Sequence, residues 1–272
     1  MDIIAAQNWA YVPDLPDDVG PIRKLLLEYS KISASDLDSH ILRVREDAWR
    51  ISRFPCIGRW KFLRLIEHDD PCYQQVLFRL NVPRSNDVFL DLGCCMGQVL
   101  RQLRHDGVHH DQLFGTDVQA KFIGIGYNLF RDESDFGATF VVGDMLDPDD
   151  NRLDYLLHKV TIIYAGSFFH LFNWNQQLYI GRRLVGFLKG GTKNNLIFGR
   201  HIGTTRPGPS SLDSLSPYLH DRDSFQRLWN EVGCLTSTKW AVELEPAGEN
   251  IVDIAFIERD AHPVKFIIHQ IS

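Results

Sequence analysis

Residues 88–98 read VFLDLGCCMGQ, an apolar run followed by Asp91, then Gly93 and Gly97 on either side of the pair Cys94–Cys95. Gly93 permits a sharp turn with positive φ, and Gly97 permits close packing where a helix begins. In α/β proteins a glycine-rich turn between a strand and a helix is where nucleotides bind. Cys95 stands where such turns carry another glycine, the one that lets backbone touch a pyrophosphate. That exchange disfavours a dinucleotide and leaves room for a cofactor without phosphates. A purely structural turn is the alternative these residues leave open.

Two further acids narrow the ligand. Asp117 lies 117 − 91 = 26 positions after Asp91, near the ~20 at which such folds place the acid that binds a ribose hydroxyl. Asp144 in VVGDM can accept from an exocyclic amine while Met145 packs on a purine. Singly, each acid reads as a solvated loop residue. Three acids at three successive strand ends select a ligand with an amine, a diol and a purine. Candidates for chemistry on a second substrate are His170 in SFFHLF and Arg200 and His201 in FGRHIG. His170 can serve as base or orienting donor, or be a histidine packed between aromatics. Arg200 can clamp a carboxylate through two parallel bonds or pair with an acid of the protein. Tyr29 and Trp60 read either as an apolar cover for that second substrate or as core. Cys94 and Cys95 could form a vicinal disulfide or a reactive thiol, but inert packing is the plainer reading.

These residues need elements that carry them to one rim. Strand-like segments at 87–93, 111–118, 138–145, 160–169 and 194–203 alternate with helical patterns at 96–107, 120–130, 150–159 and 173–191. The alternation predicts right-handed crossovers and a parallel sheet with helices on both faces. Ligands bind such sheets beyond the carboxyl ends of the strands, which assigns Asp91, Asp117, Asp144, Gly166 and Arg200 to one rim. A Pro-, Gly- and Ser-rich stretch at 204–220 reads as a long loop, and a capped helix follows at 221–233. Strands at 237–246 and 250–260, joined around Gly248, then make the sheet less than purely parallel. Residues 1–86 are predicted to be helical at 21–31, 36–51, 58–69 and 73–82, with Leu37, Ile41, Val44 and Ala48 on one face. This block is expected to be a substrate lid, which divides the chain into a helical cap, 1–86, and a sheet domain, 87–272.

Composition bounds the function. With 272 residues and 44% hydrophobic content, the chain suits one large domain with an elaboration. A net charge of −6 without a basic tract argues against nucleic acid and anionic membrane as partners. No apolar run approaches the ~18 residues of a membrane span. The acidic N-terminus lacks the basic flank of a secretory signal. Five cysteines lack the spacing of a zinc site or a disulfide framework, so a reducing cytoplasm is expected and no metal is.

The segment DLGCCMG, Asp117, GDM and an antiparallel final strand together resemble the class I S-adenosylmethionine-dependent methyltransferases, over residues 87–260. The resemblance implies a Rossmann-like, seven-stranded, mostly parallel sheet with an antiparallel last strand, and S-adenosyl-L-methionine as cofactor. It places cofactor contacts at Asp91, Gly93, Cys94, Gly97, Asp117, Val118, Gly143, Asp144, Met145 and Ala165. Cys95 departs from the family's turn. FPCIGRWKFLRLI, LDLGCCMGQVLRQL and GSFFHLFNWNQQ further resemble fungal O-methyltransferases of meroterpenoid and polyketide biosynthesis, several of which make methyl esters of carboxylic acids. This implies a cytoplasmic enzyme, compatible with a homodimer, acting on a small-molecule acceptor with His170 and Arg200 as catalytic groups and Tyr29, Trp60 and His201 as acceptor contacts. A carboxylate, with a pKa of about 4, is already ionised near neutrality and needs no base; a phenol, near 10, would want one. Three readings stay beside it: a phenol or alcohol O-methyltransferase with His170 as base, an enzyme that binds the cofactor but catalyses cyclisation or isomerisation, and a non-catalytic interaction protein. The intact acids argue against the last.

Overall fold

The structure, a computed structural model, describes residues 9–192, 194–210, 216–248 and 260–272. They divide into two compact units, Met1–Ser85 with Cys94–Val142, and Asn86–Gly93 with Gly143–Ser272.

In the first unit, α1 spans Gly20–Glu28 and α2 Leu37–Ile51. Pro21 sits in the first turn of α1, where a missing N–H costs nothing. Leu37, Ile41, Val44 and Ala48 of α2 are all buried, as the periodicity predicts. Helix α3, Pro71–Asn81, starts at Asp70, whose carboxylate accepts from the N–H groups of Cys72 and Tyr73. Helix α4, Gln98–His105, leads to β2, Leu113–Asp117; α5, Ala120–Phe130, leads to β3, Thr139–Val142. Strands β2 and β3 are parallel, with Asp117 opposite Val142. Gly126 lets α5 lie against the glycine-rich turn, because a Cβ there would stand 2.2 Å from the Met96 carbonyl oxygen. One apolar core joins Ile22, Leu26, Ile41 and Val44 to Met96, Phe122, Leu129 and Phe130. Each such fully buried side chain contributes roughly 1.5–3 kcal/mol, so the helical block is part of this core and not an appendage.

The helix expected over 58–69 does not form. Pro55–Gly58 makes one turn, Trp60 takes a left-handed φ of 61°, Lys61–Leu63 is a 3-10 turn, and Arg64 is extended. Trp60 is buried, its Nε1 donates to the Val12 carbonyl at 3.0 Å, and the Arg45 guanidinium lies 4.2 Å from its ring. Further on, the Gln102 amide holds Ile66 by both backbone groups, at 3.0 and 2.8 Å. These long-range contacts outweigh the few tenths of a kcal/mol per residue that helix propensity offers.

The second unit holds β1, Phe89–Leu92; β4, Ile162–Gly166; β5, Leu196–Gly203; β6, Trp240–Pro246; and β7, His262–Gln270. Helix α6, Trp174–Phe187, and helix α7, Arg222–Thr236, each begin with a capping box, Asn173/Gln176 and Asp221/Ser224. Strands β1, β4 and β5 run parallel, and β7 is antiparallel to both β5 and β6. All seven strands belong to one sheet in the order β3-β2-β1-β4-β5-β7-β6, the seven-stranded, mostly parallel arrangement expected. Three local expectations change. The helix at 150–159 is a 3-10 segment, Asn151–Leu156. Helix α6 stops at Phe187, before the two glycines, because Lys189 N–H turns to the Val160 carbonyl at 2.7 Å. The partner of 240–246 is 262–270; the strand expected at 250–260 lies, but for Asp260, outside the described residues. The described part of the Pro-rich stretch contains a two-residue ribbon, Gly208–Pro209 with Tyr218–Leu219. Among the described residues no helix is long and apolar enough to cross a membrane.

Candidate functional site

The turn after β1 is left-handed at three of five residues: Gly93 at φ 69°, Cys95 at 52° and Gly97 at 67°. Cys95 therefore keeps the backbone a glycine would have, at a cost of roughly 1–2 kcal/mol. Its N–H donates to Asp117 Oδ2 at 2.9 Å. Its thiol is hydrogen-bonded with that of Cys56, and this contact together with burial pushes its pKa well above the ordinary thiol value. Buried Cys94 sends its N–H to the Thr116 carbonyl at 3.0 Å, and Gly97 N–H closes the turn on the Cys94 carbonyl at 2.7 Å.

Asp117 ends β2 with both carboxylate oxygens engaged by backbone, since Gln119 N–H donates to Oδ1 at 2.8 Å. Burial raises its pKa, and these N–H bonds oppose the rise. Each oxygen keeps a second lone pair, so a ribose diol can still be accepted. The next residue, Val118, is 67% exposed and offers an apolar platform beside that acid.

Behind the turn lies a group the sequence did not disclose. Arg101 of α4 is fully buried, and its Nη1 donates to the Met96 carbonyl at 2.9 Å and, more weakly, to that of Gly97 at 3.4 Å. The same guanidinium grips Asp132 by two bonds, 2.9 and 3.0 Å, and Tyr29 O–H donates to Asp132 at 2.8 Å. Rings of Phe136 and Phe130 stand 3.9 and 5.0 Å from it. Burial and the Asp132 charge raise the Tyr29 pKa, so the phenol stays protonated. Tyr29 and Trp60 are thus engaged with their own unit. No local pattern marks Arg101, because its carboxylate partner is 31 residues away.

In the second unit Asp91 is buried at the end of β1, opposite Tyr164 of β4. Asp144 caps its own turn, Oδ1 accepting from Leu146 N–H at 2.8 Å. Its backbone is held from both sides: its N–H donates to Asp150 at 2.8 Å, and its carbonyl accepts from Arg183 at 2.9 Å. The Arg152 guanidinium and the Asp144 N–H hold the Asp150 pKa well below the carboxylate range. Gly143 fits because a Cβ would strike Leu153; Met145 and Ala165 are buried. Asp150 and Arg183 therefore brace the GDM loop, and only the fold reveals them.

The candidates for acceptor chemistry lie after β4 and along β5. His170 is half-buried on the 3-10 turn Phe169–Leu171. Ser167, left-handed at φ 57°, donates its N–H to the Arg200 carbonyl at 2.7 Å. Arg200 and His201 are both buried and, as neighbours in a strand, point to opposite faces. His201 has ring neighbours Phe225 and Phe266 at 5.0 and 4.9 Å, and neither ring nitrogen has a hydrogen-bond partner among the described residues. Burial, and then the nearby His220 and His170, push its pKa well below the ordinary value. His220 is satisfied: Gln177 donates its amide to two carbonyls, so its Oε1 must accept from His220 Nε2 at 3.1 Å. That leaves His220 Nδ1 to accept from Ser224 at 3.0 Å.

Residues 10–63 match the meroterpenoid methyltransferase N-terminal domain family. The O-methyltransferase phiE of Fungal sp. (strain ATCC 74256) is 34% identical over 246 residues, 87% of this chain and 81% of that protein. The asnovolin E/chermesin D methyltransferase nvfJ of Aspergillus novofumigatus is 33% identical over 234 residues, 85% of this chain and 83% of that one. Among solved structures, phospholethanolamine N-methyltransferase 2 of Haemonchus contortus, in complex with S-adenosylhomocysteine, superposes with a TM-score of 0.50 at 13% identity. That match covers 72% of this chain and 51% of that one, and it shows the fold. The left-handed turn, the acid ending β2, the strand order and relatives that span most of their length lead to one conclusion: the chain belongs to the fungal meroterpenoid methyltransferases and is an S-adenosylmethionine-dependent methyltransferase.

Proposed function

We propose that the chain methylates a carboxylate oxygen of a fungal meroterpenoid or polyketide acid, forming a methyl ester. The observation that carries this reading is the buried cation Arg200 on β5, whose strand neighbour His201, on the opposite face, is too weak to be a base. His201 is pushed well below its ordinary pKa, whereas a general base works best when its pKa is near the operating pH. A carboxylate acceptor needs no base, only a charge and donors that orient it. The phiE relative's description as an O-methyltransferase supports oxygen as the target.

The turn and the acids fit S-adenosylmethionine, which has an amine, a diol and a purine but no phosphate. When bound, it supplies an electrophilic methyl group on a sulfonium. In this reading Asp91 takes the amino group, Asp117 the ribose diol, and Asp144 and Met145 the adenine, with Val118 as a further apolar contact. Arg200 and His170 orient the acceptor oxygen, and the aromatic side chains around them exclude water, so that alignment lowers the barrier.

The test is incubation with methyl-labelled cofactor and a panel of terpenoid and polyketide acids, phenols and alcohols. An added methyl group that mild alkali releases as methanol supports the ester. An alkali-stable methyl ether moves the assignment to hydroxyl methylation with His170 as base. An isomerised product without added methyl supports a cyclase.

A further inference from the structure

Arg101 poses a question that stability does not answer. A buried ion pair is often no more stabilising than apolar residues of the same volume, yet this guanidinium is fully enclosed. Its fork is divided between two tasks. Nε and Nη2 go to Asp132, while Nη1 goes to carbonyls of the glycine-rich turn. The pair alone would leave Nη1 idle, and the turn bonds alone would leave a buried charge unbalanced. Asp132 has its own orienting donor, the Tyr29 hydroxyl, from the helical block 103 residues earlier. The result is a continuous chain from α1 to the peptide units of residues 96 and 97. Its far end sits where Cys95 N–H meets Asp117.

We propose that Tyr29, Asp132 and Arg101 are positioning residues for the cofactor, through which the N-terminal helical block sets the orientation of the glycine-rich turn and hence the affinity for S-adenosylmethionine. The inference rests on the reading of that turn as the cofactor's and gives Tyr29 a different task from covering the acceptor. Arg101 draws the Met96 carbonyl inward, which fixes the neighbouring peptide planes against Asp117. Without the Tyr29 hydroxyl, Asp132 loses the donor that holds it in register with the guanidinium.

Tyr29→Phe removes one oxygen, and Arg101→Lys keeps the charge but cannot serve Asp132 and the turn together. Both are compared with the parent by calorimetric titration with S-adenosylmethionine and S-adenosylhomocysteine, at a temperature where near-ultraviolet dichroism shows each fully folded. Tyr29→Phe is expected to weaken binding about five-fold and Arg101→Lys about ten-fold or more, the scale of one and two lost hydrogen bonds. The acceptor KM at saturating cofactor stays within about two-fold, a change well under 1 kcal/mol. Ile22→Val, a core deletion in the same block, lowers the melting temperature and leaves cofactor affinity unchanged. Parental affinity in Tyr29→Phe overturns the proposal, as does an equal change in cofactor and acceptor constants. If Arg101→Lys does not fold, Tyr29→Phe decides alone. A parent that binds neither ligand overturns the cofactor reading, and the proposal with it.

Discussion

The Cys95 N–H and the Asp117 carboxylate meet at 2.9 Å, which ties the glycine-rich turn to the end of β2 before any ligand arrives. Asp117 is an organiser of the turn, in addition to the ribose contact proposed for it. Asp117→Ala should weaken S-adenosylmethionine binding by about ten-fold or more, since bonds to a charged group are worth about 1.5–3 kcal/mol. Asp117→Asn should be nearly as harmful, because its amide nitrogen must face either Cys95 N–H or Gln119 N–H, both donors. Calorimetry on the two variants checks this; parental affinity in Asp117→Asn removes the organising role.

Cys95→Gly tests the departure from the family's turn. Relief of about 1–2 kcal/mol of left-handed strain opposes the lost thiol contact and glycine's greater unfolded-state freedom. Stability should therefore move by under about 1 kcal/mol, with activity within about three-fold. Cys95→Val, β-branched at positive φ, should lose about 1–3 kcal/mol. Denaturant midpoints separate the two. Complete inactivity of Cys95→Gly would give the thiol a chemical role.

Acid sensitivity follows from the buried histidines. His220 is lowered to about 3 by burial, and His201 is lowered as well. A histidine depressed in the folded state binds its proton first in the unfolded chain. Stability is thus fully present above about pH 6.5 and falls as pH drops toward the folded values. The slope approaches about 1.4 kcal/mol per pH unit for each group. His201→Phe should reduce that slope between pH 6 and 4.5 by the share of one of three depressed histidines, His40 being the third, and leave stability at pH 8 equal or higher, since two unpartnered nitrogens are removed. If the same variant raises the acceptor KM, His201 touches the acceptor. An unchanged acid slope would show that His201 is hydrated or paired in solution.

His170→Gln separates acceptor classes. With a carboxylate acceptor His170 is at most an orienting donor, and the variant should retain substantial turnover with a rate nearly flat across neutral and mildly alkaline pH. With a phenol or alcohol the loss should be about 10²–10⁴-fold, the usual range for a missing base, and the parent's rate should rise with pH. Steady-state rates in paired buffers decide.

The residues differ in how much of this the sequence disclosed. Helix α5 is legible to its ends, because Phe122, Ile125 and Leu129 keep helical period from Ala120 to Phe130. The placement of Asp91, Asp117 and Asp144 at or just past strand ends is legible because a strand end is a local event. The 58–69 segment misleads because its conformation is decided by Val12, Arg45 and Gln102, none of them local. The final antiparallel strand is legible in kind but not in place, since the apolar run at 250–260 is the stronger local signal and 262–270 makes the pairing. Arg101, Asp150 and Arg183 show no pattern at all, because each is defined by backbone or carboxylate partners that only the fold brings near.

The strand order has a consequence for biosynthesis. Strand β7 lies between β5 and β6 although it follows both in the chain. While a ribosome is still translating the segment before His262, β5 presents an unpaired edge whose eight residues, Leu196–Gly203, become almost entirely buried. Strand β6 has been made by then but has no partner beside it. An apolar, unpaired edge is the template on which nascent chains aggregate. The nearly complete chain thus keeps that edge open until Phe266 and Ile268 are made and pair with Gly199 and Ile197.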